Sequence, residues 1–143
     1  MRKQLKRLKD ERGLTLVELL AVLVILGIIA AIAIPSIGGI IQNSKEDAVK
    51  ADAIAILEAA KLYKIQKPDE TSTNFSVANL DDYVDLPSKS SLNDATVDFS
   101  KDTVEISTAE AVKAGNRTLK FSGATIEDIN EHESGSDDTT IGE

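Results

Sequence analysis

Gly13-Leu14-Thr15-Leu16-Val17-Glu18-Leu19-Leu20, continued by an apolar run to Ile34, decides how the chain is read. From Leu14 to Ile34 every residue is apolar or Gly except Thr15 and Glu18. At about 1.5 Å per residue a helix of that length spans roughly 30 Å, the thickness of bilayer hydrocarbon. Glu18 is the anomaly. A carboxylate in an apolar helix costs on the order of 3 kcal/mol, so it calls for a partner and a purpose.

On the N-terminal side lies a basic head. Arg2, Lys3, Lys6, Arg7, Lys9 and Arg12 stand against Asp10 and Glu11, a net of +4. Cations ahead of an apolar helix hold the N-terminus in the cytoplasm, by the positive-inside rule. The whole chain carries −8, so the residues beyond Gly13 carry −12. Such an acidic exterior repels phosphate backbones and argues against broad nucleic-acid binding. A secretory signal peptide is the rival reading, with Ala31-Ile32-Ala33 as its small-x-small cleavage site. Against it, the apolar run is longer than a usual signal core, holds a Glu, and passes into an amphipathic helix without a turn.

Gly13, Leu14, Thr15, Leu16, Val17, Glu18 and Leu19-Leu20 resemble, position by position, the N-terminal signal of the type IV pilin superfamily. That superfamily includes the pilins and the pseudopilins of type II secretion and DNA-uptake machines. Leu14 departs mildly from the Phe more usual there. The resemblance implies that a prepilin peptidase cuts after Gly13, where the absent side chain eases entry into a protease cleft. Leu14 would then be the N-methylated mature terminus, with Thr15 and Glu18 in the assembly segment. The new amine of Leu14 would meet Glu18 of a neighbouring subunit, each charge relieving the other's desolvation. Other implied partners are a homo-oligomeric helical filament, an assembly platform, minor pilins and the membrane.

Gly27 and Pro35 are the expected helix breaks. Pro35 has no amide hydrogen to donate and crowds the carbonyl of Ala31. In filaments of the family such a Gly–Pro segment can unwind; a plain bend where the chain leaves the lipid is the alternative.

Beyond Pro35 the helical period persists. Ile37, Ile40, Ile41, Ser44, Ala48, Ala51, Ala55, Ala59 and Leu62 recur at spacings of three and four as an apolar, mostly small-residue stripe. Gln42, Lys45, Glu46, Asp47, Lys50, Asp52, Glu58 and Lys61 lie opposite. Ile54, Ile56 and Leu57 widen the stripe, so one surface is expected to take the chain's own head and another neighbouring subunits. Lys67-Pro68 ends the helix, because the residue before Pro leaves α geometry.

The remainder reads as a small head. Pro68–Asn74 is loop-like, and Ser76 caps a short helix bearing Val77, Leu80, Tyr83 and Val84, closed by Leu86-Pro87-Ser88. Ala95–Phe99 and Thr103–Ile106 alternate as a hairpin with Val97, Phe99, Val104 and Ile106 inward. Ser107–Ala114 is a loop or a helical turn. Arg117–Ser122 is a strand with Leu119 and Phe121 inward, and Thr125–Ile129 a weak last strand. The predicted fold is α+β: a long N-terminal helix, half transmembrane and half amphipathic, against a small antiparallel sheet of three or four strands. Its divisions are a leader at 1–13, a membrane and polymerisation helix at 14–35, an amphipathic helix at 36–66, the head at 67–130 and an acidic, flexible tail at 131–143, disordered at least in part.

No catalytic constellation is present, and neither an enzyme nor a cofactor is expected. The chain has no Cys, which excludes disulfides and thiolate metal sites, and its core must be small and aliphatic, with three Phe, two Tyr and no Trp. The lone His132 reads as solvated, as do Asp81, Asp82 and Asp85. Asp137-Asp138 with Glu133 and Glu143 lack the alternating oxygen pattern of an EF-hand loop, so no metal is expected. The function expected from these readings is a structural subunit, held in the cell membrane with a cytoplasmic N-terminus, then polymerised into a surface pilus for adhesion, motility or DNA uptake. The alternatives are a type II secretion pseudopilin, a single-pass membrane protein with a ligand-binding head, and a secreted binding protein cut near Ala33.

Overall fold

The computed structural model describes residues 2–69, 73–85, 92–136 and 139–142, with side chains from Thr15 onward. Helix α1 runs Arg2–Gln66 and closes with Lys67 N donating to Tyr63 O at 3.0 Å. It begins earlier than the expected Leu14 and passes through Gly27 and Pro35 without a break. A proline removes a single donor, and the intact bonds around it can carry the helix across. The chain forms two compact units, residues 1–39 and 40–143.

In the second unit, Ile40–Gln66 of α1 carries two small sheets. One holds β1 (Asn74–Ser76), β2 (Thr96–Asp98) and β3 (Glu105–Ser107), all antiparallel in that order. In the other, β4 (Val112–Ala114) pairs antiparallel with β5 (Arg117–Ser122), and β5 pairs parallel with β6 (Thr140–Gly142). The sheets are stitched together where Ile106 and Ala124 exchange two backbone hydrogen bonds at 2.9 Å and Thr108 N donates to Phe121 O at 2.9 Å. The fold is α+β, as expected.

The expected hairpin is present, with Val97 opposite Ile106 and both buried, and so is the strand that buries Leu119 and Phe121. Four readings are corrected. Asn74 belongs to β1 rather than to a loop, and Val112–Ala114 is a strand that gains its pairing only from β5. The expected last strand is a helix, α2 (Ile126–Glu131), begun by a reciprocal box in which Thr125 Oγ1 accepts from Asp128 N and the Asp128 carboxylate accepts from Thr125 N at 2.8 Å. The tail is ordered at Thr140–Gly142, where Ile141 is buried. The last two corrections share one cause. A parallel pair needs a crossover of a dozen residues or more, commonly a helix, and α2 lies in the crossover from β5 to β6.

Ser76 occupies the N-cap position of a single 3-10 turn, Val77–Leu80, but its side chain makes no capping bond. Leu86-Pro87-Ser88 and Asp137-Asp138 lie outside the described residues. Asp81, Asp82 and Asp85 are not buried, whereas His132, expected in solvent, is half-buried.

The core is mostly aliphatic, with Phe121 fully buried in it and four further rings in mutual contact. Tyr63 meets Phe75 edge-on at 5.0 Å and Tyr83 at 5.5 Å, and Phe75 meets Phe99 at 5.2 Å. From α1 the core takes Ala53, Ile56, Leu57, Ala60 and Tyr63. Of the small-residue stripe only Ala59 is buried. Burying Ile56 or Leu57 contributes about 1.5–3 kcal/mol each, several times what an alanine methyl yields, so the bulky face wins the head. Gln42, Glu46, Asp47 and Lys50, the polar residues opposite the stripe, bond to the head's main chain and side chains.

Candidate functional site

Between Arg12 and Lys45 the only charged residue is Glu18. In the first unit it is an exposed helical side chain, as are Thr15 and the large apolar residues that follow. Leu16 is 70% exposed, Leu26 55% and Ile34 69%. Such continuous apolar exposure marks a surface meant for lipid or for other protein. The apolar window within Thr15–Gln66 has a mean hydropathy of 3.0 and none of it is buried, so the helix is long and apolar enough to cross a membrane. Gly13 and Leu14 are helical in their backbone.

A family model, the prokaryotic N-terminal methylation motif, matches residues 8–34. This segment is such a motif. It spans Gly13, Leu14, Thr15, Glu18 and Gly27 and ends one residue before Pro35. Part of the chain is also similar to type II secretion system core protein G of several bacteria. The protein of that name from Escherichia coli K12 is 29% identical over 77 residues, covering 54% of this chain and 53% of the relative. The one from Pseudomonas aeruginosa is 37% identical over 57 residues, 40% of each chain, and that from Vibrio cholerae 31% identical over 61 residues. The matched region thus spans about half the length of the first relative and less of the others. No solved structure matches the chain. Motif and apolar helix together fit a membrane-anchored protein of the pilin and pseudopilin kind.

In the second unit, α1 turns its other face outward. Ile40, Ile41, Ser44, Ala48, Ala51, Leu62 and Ile65 are not buried, and Leu62 and Ile65 remain 52% and 75% accessible. At 100° per residue these positions lie opposite Glu46, Ala53, Ile56, Leu57 and Ala60, which face the head. The period of the stripe was legible in the sequence, but its role was not. Ile65, three residues after Leu62, extends the face beyond the residues the pattern had marked. Its only sequence signal was that spacing.

Proposed function

We propose that the chain is a pilin-type structural subunit, stored in the membrane, cleaved after Gly13 and polymerised through its N-terminal helix. The observation that carries this is Glu18 as the sole charge in an exposed apolar helix that bears a methylation motif. Alone in lipid near the cytoplasmic face, the carboxylate can stay hydrated. When helices gather and water leaves, it needs a cation beside it, and the amine freed at Leu14 supplies one. The outward face of Ile40, Ile41, Ala48, Ala51, Leu62 and Ile65 supports the same reading, because its large residues leave apolar surface to bury and Ala48 and Ala51 let another helix approach closely. Membrane, prepilin peptidase, further copies of the chain, an assembly platform and minor subunits are its partners in this scheme.

A secretion pseudopilus draws more support than a surface pilus from the similar proteins of Escherichia coli, Pseudomonas aeruginosa and Vibrio cholerae, which are type II secretion core proteins. Adhesion, motility and DNA uptake draw no support from them. Processing is tested by mass spectrometry of the mature N-terminus. The expected terminus is Leu14, and Gly13→Val should leave the chain uncut in the membrane. A terminus near Ile34, or an intact Met1, would sink the proposal.

A further inference from the structure

Three chain segments meet at one buried carboxylate on α1. Glu46 is 1% exposed. Its Oε1 accepts from Gln42 Nε2 at 3.0 Å and faces Arg117 Nε of β5 at 3.8 Å, while Oε2 accepts from Gly135 N at 2.7 Å. Gln42 also donates to Ala114 O at 2.6 Å and accepts from Asn116 N at 2.9 Å, so it holds the β4–β5 turn. Asp47 accepts from the hydroxyl of Ser134, Lys50 donates to His132 O at 2.8 Å, and Arg117 donates to Ser136 O. The helix and β5 therefore grip the segment His132–Ser136 mostly through its main chain. That segment buries no large apolar side chain of its own.

We propose that Glu46 and Asp47 form an acid-sensitive latch that holds residues 132–136 on α1. When both carboxylates take up protons, this segment is released while the rest of the head stays folded. The proposal does not depend on the filament reading.

The groups around the latch fix its sign. Burial would raise the Glu46 pKa, but the bonds from Gln42 and Gly135 and the charges of Arg117 and His132 outweigh it, and the carboxyl lies below its ordinary 4.5. Asp47 is held below its ordinary 3.8 chiefly by Ser134, against a smaller opposing effect of burial, with Lys50 adding to the lowering. Lys45, on the same helix, lines the β4–β5 turn beside Gly115. For groups lowered on folding, the stabilisation is fully present above the unfolded pKa and is lost as pH falls through the folded one. Loss of the latch thus begins below about pH 4.5, the ordinary value for Glu46, and is complete only below about 3.8, where Asp47 follows. Apolar contacts made by Leu119, Phe121 and Ile56 do not titrate and persist there.

Hydrogen–deuterium exchange on the full-length chain in detergent micelles, corrected for the intrinsic pH dependence of exchange, tests this. Protection of residues 132–136 should fall about tenfold or more between roughly pH 6 and roughly pH 2.5, the loss expected for charge-assisted bonds, while β5 keeps its protection. In Glu46→Gln the segment should already be weakly protected at neutral pH and largely insensitive to acid. Asp47→Asn, at a more exposed position, should show a partial effect in a head that remains fully folded. Loss of protection at 132–136 only in step with β5, or wild-type protection in both variants, would overturn the latch.

Discussion

Gly142 shows how much a single backbone position can decide. Its φ of +96° lies where side chains are strained, and an added Cβ would meet Ser122 O at 2.3 Å and Ala124 N at 2.9 Å. Both atoms are main chain in the β5 region and cannot swing aside. Gly142→Ala should therefore destabilise the head by roughly 1–3 kcal/mol, the range for a strained backbone position. Urea unfolding checks it; a change within about 0.5 kcal/mol, the usual size of a surface substitution, would mean that β6 contributes nothing to the head. At the same scale Glu46 and Glu18 are contrasting carboxylates. Glu46 is buried and has its donors within its own chain, whereas Glu18 is exposed among apolar side chains and is proposed to find its partner in another subunit.

Among the elements, α2 offers the sharpest test. Thr125→Ala removes the capping hydroxyl and should cost about 1 kcal/mol. The Asp128 carboxyl is held below its ordinary 3.8 by the Thr125 hydroxyl first and its amide second. That stabilisation is present above 3.8 and lost as pH falls through the folded value, so the gap between variant and wild type should narrow in acid. Thermal melts at neutral pH and near pH 3 measure it; an equal gap at both would exclude the carboxylate from the cap. Thr125-x-x-Asp128 and the i, i+3 pair Ile126 and Ile129 were helix signals already present in the sequence, though read as a weak strand. The hairpin around Val97 and Ile106 and the strand through Leu119 and Phe121 were legible because alternation is a local pattern. β4 and β6 were not, since no alternating run of greater length flanks them and their pairing with β5 is set by tertiary structure. On α1 the period was legible but not the face, because a stripe of alanines and a stripe of Ile and Leu share one spacing. Only the competition for burial separates them.

At the scale of the whole molecule the chain joins an exposed apolar helix to a head with its own core. The head's core uses Ile56, Leu57 and Tyr63 of α1, leaving Ile40, Ile41, Ala48, Ala51, Leu62 and Ile65 for other contacts. The proposed assembly depends most on Glu18, which ties polymerisation to processing because its amine partner exists only after cleavage. On this account Glu18→Ala should still insert and still be cut after Gly13. The most direct measurement is the ratio of sheared filament to membrane-pool protein for wild type and Glu18→Ala. A processed, membrane-held variant with little or no filament is the expected result. Filaments in wild-type amounts would reduce Glu18 to an interfacial charge and contradict assembly by charge pairing.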